Sequence, residues 1–185
     1  MRGRVTLIVL GAIFIVLVAL TLLQSGQPPA RQRPTPRPLY LVYDDLPVLD
    51  MLAIRLRVPD GDAGLTLTRA DDGTWTRPDG GWIDADTATA IARTIALLPY
   101  LRTIEPESDD LSAFGFLPRG IFSIEVVLVD GSARAIEIGD LARSNDGYFA
   151  VVDDRPEIYL LQRAAVDFLI QQYQRRDDPP PTATP

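Results

Sequence analysis

One segment constrains this chain more than any other. Residues 5–23 read VTLIVLGAIFIVLVALTLL, 19 consecutive residues without a charge, opening at Val5 and closing at Leu23. At ~1.5 Å of rise per residue a helix of that length spans roughly 28 Å, close to the hydrocarbon thickness of a bilayer. A buried soluble helix rarely goes five turns without a charged residue. A cleaved signal peptide has a shorter apolar core and leaves through small residues in an A-x-A arrangement. Here the exit is Leu22-Leu23-Gln24-Ser25-Gly26, which lacks that arrangement. The segment therefore reads as an uncleaved transmembrane anchor in contact with the lipid bilayer.

Charge divides at the same place. Residues 1–38 hold five Arg and no acid, whereas residues 39–185 hold 13 Arg against all 25 Asp and Glu, a balance of −12. Arg2 and Arg4 precede the apolar run directly, and Arg31, Arg33 and Arg37 follow at a distance. The count of positive charges on the two sides is close to a tie, and the adjacency of Arg2 and Arg4 breaks it towards a cytoplasmic N-terminus. The expected layout is a short cytoplasmic start at 1–4, an anchor at 5–23, a linker at 24–38, an extracytoplasmic body at 39–176 and a tail at 177–185. The linker holds five Pro and would extend at most roughly 45 Å as a polyproline spacer. The tail, DDPPPTATP, has no means of forming a regular core element. The expected location is the cell membrane, crossed once.

Three absences close most routes to catalysis. The sequence contains no Cys, no His and no Lys. A thiol nucleophile, an imidazole base, a Schiff-base amine and a P-loop lysine are therefore all missing. An acidic body does not neutralise phosphates, so nucleic acid is not an expected partner. No cofactor and no catalytic residue is expected.

The body reads as strands and helices in alternating groups. Residues 39–43 have strand composition. Residues 54–58, 65–69, 74–77, 121–129, 133–138, 148–152 and 158–161 read as strands, most of them by alternation. Asp71-Asp72-Gly73, Pro78-Asp79-Gly80-Gly81, Asp130-Gly131 and Asp153-Asp154-Arg155-Pro156 are turn sequences. Asp84 reads as an N-cap, with Asp86 in the first turn, opening a helix along Ala88, Ile91, Ile95 and Leu98 that Pro99 stops. A helical turn at 109–115 closes on Gly115. A second helix over 163–176 carries Val166, Leu169, Ile170 and Tyr173 on one face, with Arg175 and Arg176 in its last turn. Hairpin-linked strands with two helices predict an α+β fold on antiparallel sheet. Asp72-Gly73 and Asp146-Gly147 each precede an aromatic strand, a turn and a helix. Two copies of a hairpin-plus-helix unit account for this, and so do two ordinary α+β halves.

From Leu65-Thr66-Leu67-Thr68-Arg69 through Asp72-Gly73-Thr74-Trp75, then Ile83-Asp84-Ala85-Asp86, Leu111-Ser112-Ala113-Phe114-Gly115-Phe116-Leu117-Pro118, Asp130-Gly131, Ile138-Gly139 and Tyr159-Leu160-Leu161, the chain resembles a bacterial family designated domain of unknown function 4340. The likeness covers residues 50–170. Phe114 stands where that family's turn usually has Tyr, and Phe116 where it has Leu. The resemblance implies a bacterial protein with an N-terminal membrane segment and an extracytoplasmic domain, in some relatives encoded beside transporter and gliding-type components. It brings no catalytic residues.

Asp60-Gly61-Asp62-Ala63-Gly64 shows half a calcium loop without the closing bidentate Glu, and reads as a hairpin turn. Trp82, beside Gly80-Gly81, and Phe116 are the two candidates for a ligand surface. A concave pocket lined by both would mark a small-ligand or glycan-binding domain. A flat apolar patch, or free sheet edges, would mark a non-catalytic module with a membrane or envelope protein as partner. A carboxylate-dependent hydrolase is the third reading.

Overall fold

The computed structural model describes residues 40–59, 61, 64–116 and 118–178. The anchor, the linker, the tail beyond residue 178 and most of the half calcium loop lie outside them. Nine strands form one sheet: β1 (Tyr40–Leu41), β2 (Met51–Arg57), β3 (Leu65–Arg69), β4 (Trp75–Thr76), β5 (Pro99–Ile104), β6 (Phe122–Leu128), β7 (Ala133–Leu141), β8 (Gly147–Val152) and β9 (Ile158–Gln162). The spatial order is β1-β5-β9-β8-β7-β6-β2-β3-β4, and every pair is antiparallel. Two helices complete the described residues, α1 (Ala85–Ala96) and α2 (Arg163–Gln174). Neither is long and apolar enough to cross a membrane.

Alternation decides which face is the core. Phe122, Ile124, Val126 and Leu128 are buried on β6, and their cross-strand neighbours Ile54, Leu56, Ile136 and Ile138 are buried with them. Both helices lie over this face. Ala88, Ile91, Ala92, Ile95 and Ala96 of α1, and Val166, Leu169 and Tyr173 of α2, join one cluster with the strand residues. Tyr173 meets Phe122 edge-on, with 5.7 Å between ring centroids. Asp84 has extended backbone, and its carboxylate accepts the Thr87 amide at 2.8 Å, so α1 begins with the cap its sequence requires.

The opposite face is polar over β2, β3 and β6. Arg55 donates to Glu125 across the β2–β6 pair at 2.6 Å. Over β7, β8 and β9 it turns apolar, with Phe149 opposite Leu160 and Val151 opposite Ile158. The connection 105–120 covers that part. A 3-10 turn at Ser112–Phe114 ends on Gly115 in the left-handed region, φ 84°, where glycine carries no Cβ penalty. Phe114 reaches Phe149 edge-to-face at 5.0 Å. A Cβ on Gly139 of β7 would collide with the Phe114 carbonyl. Glycine there is what lets the connection lie down on the strand.

Among the differences from the sequence reading, two bear on the layout of the body. Pro99 ends the α1 pattern, and it also begins a strand that the sequence does not announce. Proline is acceptable as a first strand residue. The register of β5 against β9 shifts between Tyr100 and Arg102, and that bulge erases the alternation. The second helix also stops at Gln174, so Arg175 and Arg176 follow its last turn instead of occupying it.

Candidate functional site

The densest polar cluster joins the start of the body to the β8–β9 turn. The Tyr43 hydroxyl donates to Asp153 at 3.3 Å, and the same carboxylate oxygen accepts the Ala135 amide at 2.8 Å. Arg155 donates to the Val42 carbonyl and to the Tyr159 hydroxyl, both at 3.0 Å, and lies over the rings of Tyr43 and Tyr159. Burial, then the Asp153 charge, pushes the Tyr43 phenol far above its ordinary range. The Arg155 guanidinium is held more firmly charged, first by its bond to Tyr159. These groups satisfy one another. The cluster behaves as a clamp on residues 42–43.

The acidic turns are engaged in the same local way. Asp72 accepts from Thr74, Asp110 from Ser112 and Asp130 from Ser132. Each carboxyl is held below its usual range by these hydrogen bonds, and Asp79 and Asp84 are lowered likewise. Among the described residues no group of three or more His, Cys, Asp or Glu side chains is placed to hold a metal ion.

Trp82 and Phe116 do not share a pocket. Phe116 is 8% exposed and sits against Gly139 on the polar-side face of the sheet, beneath the 105–120 connection. It is a packing residue there. Trp82 lies on the helix-bearing side and is 46% exposed. Trp75, by contrast, is buried.

Trp82 lines a cleft of about 260 Å³ between the start of α1 and the end of α2. Leu65 and Ile83 supply further apolar wall, and Gln172, Arg175 and Asp178 supply polar wall. The loop that carries Trp82 is fixed by its own sequence. Arg77 donates through Nε and Nη2 to the two Asp79 oxygens, and Asp79 also accepts the Gly81 amide at 3.0 Å. The buried Arg77 side chain donates to the Arg176 carbonyl, which ties the loop to the end of α2. Arg176 turns inward over the Tyr173 ring, 4.2 Å from its centroid, and donates to the Tyr173 carbonyl at 3.0 Å. Arg175 points elsewhere. It is exposed and makes no side-chain hydrogen bond or ion pair among the described residues.

A larger depression of about 750 Å³ lies on the polar face. Arg57, Arg119, Ser123 and Glu137 line it, and Glu137 accepts the Gly120 amide. Its carboxylates are already engaged, Glu125 by Arg55 and Glu137 by the Gly120 amide.

The glycine pair before Trp82 signals an exposed aromatic in the sequence. The cleft itself depends on Arg77 meeting Arg176, 99 positions away, and on α2 ending one residue before Arg175. No family model, curated protein or solved structure matches this chain.

Proposed function

We propose that this chain is a membrane-anchored, extracytoplasmic, non-catalytic interaction module, serving as an accessory component of a cell-envelope or transporter complex. Residues 5–23 would hold it in the bilayer, and the α+β body would carry the binding surface. The resemblance to the domain of unknown function 4340 family supports the same placement.

The observation that carries the non-catalytic reading is the use made of the carboxylates. Without His, Cys or Lys, acid–base work would fall to Asp and Glu. A carboxyl acting as proton donor near neutral pH needs a raised pKa. Among the described residues the shifted carboxyls, Asp72, Asp79, Asp84, Asp110 and Asp130, are all lowered, Asp79 first by its bond from Arg77 and the others by hydrogen bonds within a turn or at a helix start. Their chemistry is spent on local structure.

Binding through free sheet edges has little support. The edge strands β1 and β4 are two residues long, too short to template another strand. Small-ligand or glycan binding is the second reading; the pocket shared by Trp82 and Phe116 that would mark it does not form, and what favours it is the exposed Trp82 at a cleft of its own.

Two measurements test the proposal. The full chain, expressed in cells, should stay in the membrane fraction after a high-pH carbonate wash, and external protease should digest its body. In-cell crosslinking followed by mass spectrometry should then return a stoichiometric membrane partner. A chain released by carbonate refutes the anchor. A body protected in intact cells refutes the orientation. An intact, accessible body that captures only background proteins refutes the accessory role.

A further inference from the structure

We infer that the cleft beside Trp82 binds one pyranose ring of an uncharged glycan, with the indole as stacking platform and Arg175 and Gln172 as hydrogen-bonding arms. This deepens the second reading above and rests on it, and it does not depend on residues 5–23.

The first ground is shape. At about 260 Å³ the cleft falls below the range of pockets for drug-sized ligands, ~300–1,000 Å³, which suits a single ring with its neighbours left outside. The second is the aromatic. Trp82 is one of two tryptophans; Trp75 is buried, whereas Trp82 leaves 46% of its surface in water. An indole offers a large flat apolar face with little conformational entropy to lose, complementary to the C–H face of a sugar.

The third ground is the type of polar group. Arg175 is a planar guanidinium with paired donors, Gln172 has donor and acceptor on one plane, and Asp178 is an acceptor. Vicinal hydroxyls donate and accept from adjacent carbons, so they match such groups two at a time. The Arg175 side chain has no hydrogen-bond or ion-pair partner among the described residues, so it need break no bond to engage a ligand.

Charge argues against an anion. Arg77 is neutralised by Asp79 and Arg176 by Asp177, while Asp84 and Asp178 face the same cleft as Arg175. The body around them carries −12. A proline-rich peptide also fits poorly, because such segments dock into grooves walled by several aromatics. Trp82 is the sole aromatic lining this cleft among the described residues.

The fourth ground is rigidity. The Arg77–Asp79 pair, the Asp79–Gly81 bond and the tie from Arg77 to Arg176 hold the Trp82 loop in place before any ligand arrives. Preorganisation reduces the ordering cost of binding.

The test uses the full chain in a detergent that has no sugar headgroup. Acrylamide quenching of tryptophan emission reports mainly the exposed Trp82. Titration with the tetrasaccharide of N-acetylglucosamine and with maltotetraose is expected to give saturable protection from quenching for at least one of them. Calorimetry with the same sugar should lose about tenfold or more in affinity for Trp82→Ala, a hot-spot-sized effect, and several-fold for Arg175→Ala. Both side chains are at the surface, and circular dichroism checks that the variants fold. No saturable protection by either sugar at millimolar concentration overturns the inference. So does affinity that survives Trp82→Ala. Protection by a proline-rich peptide with none by the sugars assigns the cleft to peptide and overturns it too.

Discussion

Phe114 and Phe149 meet edge-to-face at 5.0 Å between ring centroids, fastening the 105–120 connection to the face of the sheet that the helices leave open. Without this contact Phe149, Val151, Ile158 and Leu160 would present a continuous apolar surface to water. Phe114→Ala should therefore cost about 1–3 kcal/mol, from lost ring interaction and lost burial. Urea denaturation measures the loss. Limited proteolysis should cut the variant first within 105–120, before the rest of the body opens.

Gly139→Ala tests the same contact from the strand side. A methyl group there would run into the Phe114 carbonyl, which is backbone and cannot rotate aside. The connection must lift or β7 must bend, at about 1–3 kcal/mol for an overpacked site. Thermal melting should show a lower midpoint than for Gly131→Ala corrected for its turn strain, because a Cβ on Gly131 meets nothing within 4 Å.

Asp84→Ala removes the cap of α1. The expected loss at neutral pH is about 1 kcal/mol. The Asp84 carboxyl is held below its ordinary value by its bonds to Thr87, so the folded state prefers it ionised. That contribution is present above the unfolded value of about 3.9 and fades as the pH falls through the lower folded value. Wild type and Asp84→Ala should thus differ at pH 7 and converge in acid. Chemical denaturation across pH 2 to 7, as an order-of-magnitude window, follows the convergence.

Tyr43 gives the opposite signature. Burial and the Asp153 charge keep its phenol protonated in the folded body. The stability this supplies is complete below the unfolded value of about 10 and is lost as the pH rises above it. Wild type should weaken above that point more steeply than Tyr43→Phe, which has no proton to lose. Parallel melts in alkaline buffers distinguish the two slopes.

The sequence discloses elements better than it discloses their meetings. The β3 strand and the Asp84 cap are legible because alternation and capping are local. The β5 strand is hidden, since a bulge breaks its period and Pro99 reads as a helix stop. β7 runs three residues past its apparent end, and there Gly139 makes room for a chain segment that precedes it by more than 20 positions. Trp82 is visible as a candidate through its glycine neighbours. Phe116 is not separable from it in sequence, because an aromatic under a crossing loop and one at a cleft mouth have the same local context. The exposed place of Arg175 could not be read, because the sequence pattern carries the helix to Arg176 whereas it stops at Gln174.

The first strand has a mechanical consequence. β1 pairs with the rest of the sheet only through Tyr40 with Tyr100 and Leu41 with Pro99, at its outermost edge. Any tension transmitted along the chain from before Tyr40 arrives at this edge. Only two residue pairs would have to open there before the load moved inward. Behind β1, residues 42–43 are held by several contacts at once: the Val42 amide donates to the Leu98 carbonyl, Arg155 grips the Val42 carbonyl and the Tyr43 ring, and the Tyr43 hydroxyl donates to Asp153. A pulled body would thus give up β1 and then hold at residues 42–43, leaving the other eight strands and the Trp82 cleft unloaded.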